Sequence, residues 1–363
     1  MKILVAVPDL QELGGVANYY RILEGGFENA VTYFQVGSWQ GVSARPFFSQ
    51  VVQALSDAWN IWKVSRAFDV VHFNPSLSAK CFFREMMFTF VAKLAGCKVI
   101  IFVRGWNTEF AATISEKLSW VFCVGYAKVD AFVVLASEFR EKIEDWGYKG
   151  PVYLETTVVD ESVVPDVRHE RQRGGKIRLL YMARLERAKG IFDSLDALSS
   201  LPQDSYELKV AGDGNERAAA VHYVEEHRIP GVEFCGWLSG PEKISALEWA
   251  DIFLFPSQYG EGMPNSVLEA MAFGLVVITS GAGGVKDFFE NGVMGYLLDP
   301  VNPERIADCV LRCIEDSEML RSASSFNSEY AIRHFGSSQV IKRLEGIYEE
   351  VYAGQCRPDL HQI

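Results

Sequence analysis

The sequence predicts an α/β protein built as two doubly wound, Rossmann-like domains with the ligand crevice between them. Three observations carry that expectation. Short runs of β-branched and aromatic residues alternate with segments of helical period, the pattern of βαβ units and a parallel sheet. The alternation breaks once, at a polar stretch from Asp160 to Lys176 that holds Pro165 and a Gly-Gly pair and has no apolar period. The length, 363 residues, exceeds the ~250–300 at which a single core stops growing.

In the first half, strands are expected at 3–8, 31–36, 70–73, 99–103, 132–135 and 152–155, with helices beginning near Val16, Phe47, Ser78, Ile114 and Glu138. In the second half, strands are expected at 178–182, 207–211, 232–235, 252–255, 276–279 and 296–298. Helices near 190–198, 216–226, 241–249, 266–273 and 285–290 separate them, and three more follow near 303–315, 318–334 and 337–352. The expected division is 1–160 for an N-terminal domain, 161–176 for a linker, 177–336 for a C-terminal domain and 337–363 for a last helix and tail.

Composition narrows the function. No apolar stretch approaches the ~18–20 residues of a membrane span, and the first strand begins too near the N-terminus for a signal peptide, so a cytoplasmic protein is expected. Seven cysteines scattered in apolar runs suit reduced, buried thiols. A net charge of −12 excludes a nucleic-acid partner, which needs a basic face. The charge is uneven: residues 61–104 hold seven basic residues against two acidic ones, net +5, with Trp62, Phe82, Phe83, Phe88 and Phe90 interleaved and Trp59 just before them. Such a segment suits peripheral contact with an anionic membrane surface, at its inner face, or with an anionic lipid-linked acceptor. The alternative is that the aromatics face the core and the basic residues are solvated.

The run Gly260-Glu261-Gly262-Met263-Pro264-Asn265-Ser266-Val267-Leu268-Glu269 places two carboxylates eight residues apart around a helix start. Pro264 has its φ preset for a first turn, Asn265 and Ser266 are capping types, and Gly274 stops the helix. Free N–H groups at such a terminus favour a phosphate, which would repel a carboxylate. Glu261 and Glu269 fit instead as acceptors for vicinal hydroxyls on a sugar and a ribose flanking a diphosphate, that is, a nucleotide sugar. Arg184, at a strand end, and Lys189, expected to open the next helix, are two cations able to converge on the leaving diphosphate. Arg187 is expected to face solvent. Gly14 and Gly15 precede a helix and let backbone amides approach a phosphate or sugar, although a tight turn explains them equally well. Asp213 is expected as a helix cap first and a ligand contact second.

These motifs, with Phe255-Pro256-Ser257, Gly283-Gly284 and Asp287, together resemble glycosyltransferase family 4, whose members have the GT-B architecture. The resemblance implies a retaining enzyme that moves a sugar from a nucleoside diphosphate sugar, a UDP-sugar before a GDP-sugar, to a glycan or lipid-linked acceptor in surface polysaccharide assembly. It implies catalytic roles for Arg184, Lys189 and Glu261, with donor contacts from Gly14, Gly15, Phe234, Gly262, Met263, Pro264, Asn265, Ser266 and Glu269. It implies acceptor-side positions for His72, Arg104 and Asn107, although a strand-end histidine satisfied by neighbouring backbone explains His72 equally well, and a last helix that crosses back onto the N-terminal domain. One position departs from the family: Arg104 stands where a histidine is common, and an arginine cannot act as a base near neutral pH. No Asp-x-Asp occurs, so neither a metal nor a cofactor is expected beyond the donor itself. The rival readings are a nucleotide-sugar epimerase or glycan phosphorylase on the same fold, and a non-catalytic nucleotide-sugar-binding subunit.

Overall fold

The computed structural model describes residues 1–12, 14–36, 47–165 and 175–355, apart from the side chains of 47–51. Most of the expected linker and the end of the expected tail, with Cys356, lie outside the described residues. The chain divides into two compact units. The first takes Met1–Val158, Gly260–Met263 and the stretch from Ser337 on; the second takes Val159–Tyr259 and Pro264–Gly336.

The first unit runs β1 (Lys2–Val7), α1 (Gly15–Leu23), β2 (Ala30–Gln35), α2 (Phe47–Ser65), β3 (Val70–Phe73), β4 (Ser76–Leu77) and α3 (Ala79–Leu94). It continues with β5 (Lys98–Phe102), β6 (Gly105–Trp106), α4 (Thr108–Thr113), a π-helical stretch Ile114–Leu118, α5 (Ser119–Gly125), β7 (Ala131–Val134), α6 (Ser137–Asp145) and β8 (Val152–Leu154). The helix expected near Ile114 therefore starts six residues earlier and is broken in its middle. Six strands form one parallel sheet in the order β2-β1-β3-β5-β7-β8. Their apolar runs are buried on both faces: Val70, Val71, Val99, Ile100, Val133 and Val134 have no exposed surface, as a sheet covered by helices on each side requires.

The second unit runs β9 (Ile177–Met182), α7 (Ile191–Ser199), β10 (Tyr206–Ala211), α8 (Arg217–Glu226), β11 (Val232–Gly236), α9 (Gly240–Trp249) and β12 (Ile252–Phe255). After it come α10 (Asn265–Ala272), β13 (Val276–Ser280), α11 (Val285–Phe288), β14 (Gly295–Leu298), α12 (Pro303–Glu315) and α13 (Ser317–Phe335). Side chains cap the last two of these helices: Asn302 accepts from Arg305 N, and Asp316 from Glu318 N and Met319 N, meeting amides that a helix start leaves without partners. The sheet is parallel throughout, in the order β11-β10-β9-β12-β13-β14. Numbered along the unit, that is 3-2-1-4-5-6, the dinucleotide-fold order, whose direction reverses between β9 and β12.

The last helix, α14 (Ser337–Ala353), packs in the first unit beside α1. Val340, Leu344, Ile347 and Tyr348, at three- and four-residue spacing, are buried, and this apolar stripe is what docks it. Glu155 at the end of β8 is wholly buried and is gripped by Arg343 of α14, with Nε–Oε1 at 2.7 Å and Nη2–Oε2 at 2.8 Å. Tyr153 donates to Glu350, also on α14, at 2.9 Å.

Candidate active site

In the second unit, the segments that leave β9 and β12 meet where the strand order reverses. Open α/β sheets bind ligands outside the carboxyl ends of the strands at such a reversal. Gln258 N donates to Ala188 O at 2.8 Å and joins the two segments. Gly190 lies at φ 77, and a Cβ there would come 2.4 Å from Pro256 O, so only glycine lets the backbones approach this closely.

Lys189 does not open a helix. It ends a single 3-10 turn, Arg187–Lys189, and α7 begins after Gly190. This turn folds Lys189 inward: it is 6% exposed, its carbonyl accepts from Tyr181, and its Nζ lies 4.3 Å from the Tyr259 ring centre. An ammonium over a tyrosine face is held by the ring quadrupole. Arg184 keeps about half its side chain in solvent, with Nη1 2.8 Å from Glu186 Oε1. Arg187 is mostly exposed.

Pro264 is the N-cap of α10 rather than its first helical residue, because its ψ of 115 is extended. Asn265 and Ser266 therefore stand inside the first turn, and no side chain caps this terminus. Glu269, one turn in, has its carboxylate 2.9 Å from Lys243 Nζ on α9. Phe234 lies half-buried in β11 and packs against the unit's core. Beside it, the β10–β11 register slips by one residue between Val210 and Ala211. Asp213 does not cap α8: its carboxylate accepts from Gly214 N, and Glu216 holds the cap position.

In the first unit, Gly14 is the N-cap of α1 in extended backbone, and a Cβ on it would meet nothing within 4 Å. Packing among the described residues therefore does not call for a glycine there. Arg104, two residues beyond Phe102 at the end of β5, lays its guanidinium 3.8 Å from the Tyr19 ring centre and 4.3 Å from that of Phe102. Its Nη1 is buried and finds no hydrogen-bond acceptor among the described residues. Gly260–Met263 groups with this unit: Met263 is buried, and a Cβ on Gly262 would lie 3.1 Å from Arg104 O. The run thus puts Glu261 in one unit and Glu269 in the other. Asn107 is exposed and caps α4 by accepting from Phe110 N at 2.7 Å.

His72 does not face an acceptor. It is wholly buried in β3, its Nδ1 2.7 Å from Tyr348 Oη and its Nε2 3.4 Å from Tyr20 Oη. Burial, and then the Arg104 charge, push its pKa down to about 3, which keeps it neutral. Its partners are tyrosine hydroxyls, one of them carried by α14, and its role is structural.

Lys243, Tyr259 and Tyr19, which hold Glu269, Lys189 and Arg104, were not foreseen from the sequence. Each lies far along the chain from its partner, and no local spacing points to it. Among the described residues no three His, Cys, Asp or Glu side chains gather as a metal site, and no helix is long and apolar enough to cross a membrane.

A family model described as glycosyl transferases group 1 matches residues 166–329, just under half the chain and most of the second unit. Among curated relatives, an uncharacterized glycosyltransferase of Methanocaldococcus jannaschii is 25% identical over 194 residues, 53% of this chain and 50% of that protein. A glycogen synthase of Mycobacterium tuberculosis is 28% identical over 235 residues, 63% of this chain and 56% of that protein. The chain thus spans about half the length of the curated relatives it matches. Among solved structures, Anabaena Alr3699/HepE in complex with UDP and glucose aligns with a TM-score of 0.74 at 16% identity, covering 96% of this chain and 99% of that one. The lipopolysaccharide outer core galactosyltransferase WaaB aligns with a TM-score of 0.71 at 18% identity, covering 98% and 100%. The fold of this chain is GT-B, with one Rossmann-like sheet in each unit.

Proposed function

We propose that this protein is a retaining, metal-independent glycosyltransferase that moves a sugar from a nucleoside diphosphate sugar, a UDP-sugar first, to a glycan or lipid-linked acceptor in polysaccharide assembly, on the cytoplasmic side of a membrane. The observation that carries the reading is the strand-order reversal of the second unit, where Arg184, the inward-folded Lys189 and the uncapped start of α10 follow β9 and β12. The match of 166–329 to glycosyl transferases group 1 and the UDP in the Anabaena structure support it.

In this mechanism Lys189 and Arg184 stabilise the charge that grows on the leaving diphosphate, more strongly in the transition state than in the ground state. Glu269 accepts from the ribose hydroxyls and Glu261 from the transferred sugar. The acceptor hydroxyl attacks the anomeric carbon on the face from which the diphosphate departs, and a phosphate oxygen takes its proton. Arg104 is then needed as an anion-binding group rather than a base. That same arginine favours one second reading, a nucleotide-sugar-binding subunit without activity.

The test incubates the protein with UDP- and GDP-sugars and candidate acceptors, with and without EDTA, and follows glycoside formation beside release of the nucleoside diphosphate. Product with retained anomeric configuration, undiminished by EDTA, is expected. Thermal stabilisation by a nucleotide sugar with no turnover on any acceptor would favour the binding subunit, and activity lost in EDTA and restored by Mg²⁺ would remove the metal-independent mechanism.

A further inference from the structure

Of the thirteen large apolar side chains exposed among the described residues, eight lie on three helices of the first unit. On α2 they are Val52, Leu55 and Trp59, on α3 Phe83, Phe90 and Leu94, and on α5 Trp120 and Val124. Spacings of three, four and seven keep each group on one side of its helix. The helices are neighbours: α2 packs along α3, and Phe82 of α3 stacks 6.2 Å from Phe122 of α5 while its carbonyl accepts from Tyr126. Each helix already buries its opposite side, through Ala58 and Ile61, Phe82 and Phe88, and Phe122. The outward stripes are therefore surplus to the core, and apolar side chains exposed in groups on neighbouring elements, unlike ones scattered singly, mark an interaction surface.

The charge around the stripes identifies what they meet. Glu85 is paired with Arg84, and Asp130 with Lys93 and Lys98. Along and just beyond the three helices and the π-helical stretch, Lys63, Arg66, Lys80, Lys117 and Lys128 are exposed, against exposed Glu116 and half-buried Asp57. This positive rim belongs to a chain of net charge −12. A two-fold dimer through the patch would set the rim against its own copy, because such an interface apposes the same surface twice. An anionic bilayer complements both features, taking the apolar side chains at the headgroup boundary, where tryptophan is favoured, and the cations at the phosphates.

We propose that the α2–α3–α5 face of the first unit is a monotopic membrane-docking surface for anionic lipid. The proposal concerns a surface rather than the donor site, and it stands or falls independently of the transferase reading. The experiment is co-sedimentation of the full chain with phosphatidylglycerol or phosphatidylcholine vesicles at ~0.1 M and ~1 M salt, between which the Debye length falls from ~10 to ~3 Å. Binding to phosphatidylglycerol is expected, weakened at high salt. The double variant F90S/W120S should lower the partition coefficient at least ~tenfold, since burying even one such side chain is worth more than ~1.4 kcal/mol. K63E/R66E should remove the preference for anionic vesicles, and V293S, an exposed apolar position of the second unit, should change nothing. If the double variant proves unstable, L55S/W59S on α2 probes the same face.

Equal recovery in the supernatant with and without phosphatidylglycerol vesicles would overturn the proposal. So would unaltered binding by both apolar double variants, or a dimer in light scattering that those variants dissolve while the parent protein ignores vesicles.

Discussion

Lys243 of α9 holds Glu269 of α10 at 2.9 Å, with the carboxylate 14% exposed. The pair fixes the orientation of a carboxylate one turn inside α10. If Glu269 binds ribose, Glu269→Ala weakens the bare nucleoside diphosphate and the sugar-bearing donor alike, whereas Glu261→Ala weakens only the latter. A hydrogen bond to a charged group is worth ~1.5–3 kcal/mol, so each affected Kd should rise roughly ten- to more than a hundredfold. Calorimetric titration of both variants with both ligands decides this, and equal damage to diphosphate binding would refute the division of labour.

Lys189 and Arg184 are not equivalent. Lys189→Ala removes an inward-facing charge and should lower kcat/KM by ~10²–10³-fold, the scale of one preorganised donor. Arg184→Ala removes a half-exposed guanidinium already paired with Glu186, and should lose less. Steady-state kinetics on both folded variants ranks them.

His72 makes stability depend on pH. Its native pKa, about 3, lies below the unfolded value of ~6.5, so between these values the unfolded chain binds a proton that the native protein does not. The stabilising contribution is complete above the unfolded pKa and is lost as pH falls toward the native one, at up to ~1.4 kcal/mol per pH unit. Urea titrations from pH 7 to about pH 4 should show a shallower loss for His72→Gln than for the parent protein; parallel curves would refute the assignment.

Arg343→Met leaves Glu155 buried without its cation, and removing one partner of a buried pair costs ~3–5 kcal/mol. The double variant Glu155→Gln/Arg343→Met should recover a large part of that loss. Denaturant midpoints of the two single variants, Arg343→Met and Glu155→Gln, and of the double variant measure the coupling, and additive losses would show that the pair is not coupled.

The strands were legible because a parallel sheet covered on both faces is written as continuous apolar runs, and those at 70–73 and 252–255 match to the residue. Local conformation at the loops was less legible. Lys189 takes a backbone state set by the neighbouring segment, as Gly190 packing on Pro256 shows, and no propensity encodes that. The aromatics of 61–104 divide between the two alternatives: Phe82 and Phe88 are core, while Phe83 and Phe90, like Trp59 just before the segment, are exposed. Composition could not separate them, because α2 and α3 carry apolar residues on both sides. Sequence does not separate the acceptor-side and structural readings of His72 for a related reason: the tyrosine that occupies its Nδ1 lies 276 residues later.

That last partner has a consequence for synthesis. Glu155 and His72 belong to the portion of the first unit made early, yet Arg343 and Tyr348 reach them only from α14. While the intervening unit is being translated, the early portion carries a buried-type carboxylate and a histidine that lack these partners. Domains completed N-terminal first can finish folding on the ribosome; the first unit gains these partners only once α14, which follows the whole of the second unit in sequence, has been made. The second unit, with its own sheet and core, is complete in sequence before α14 is made.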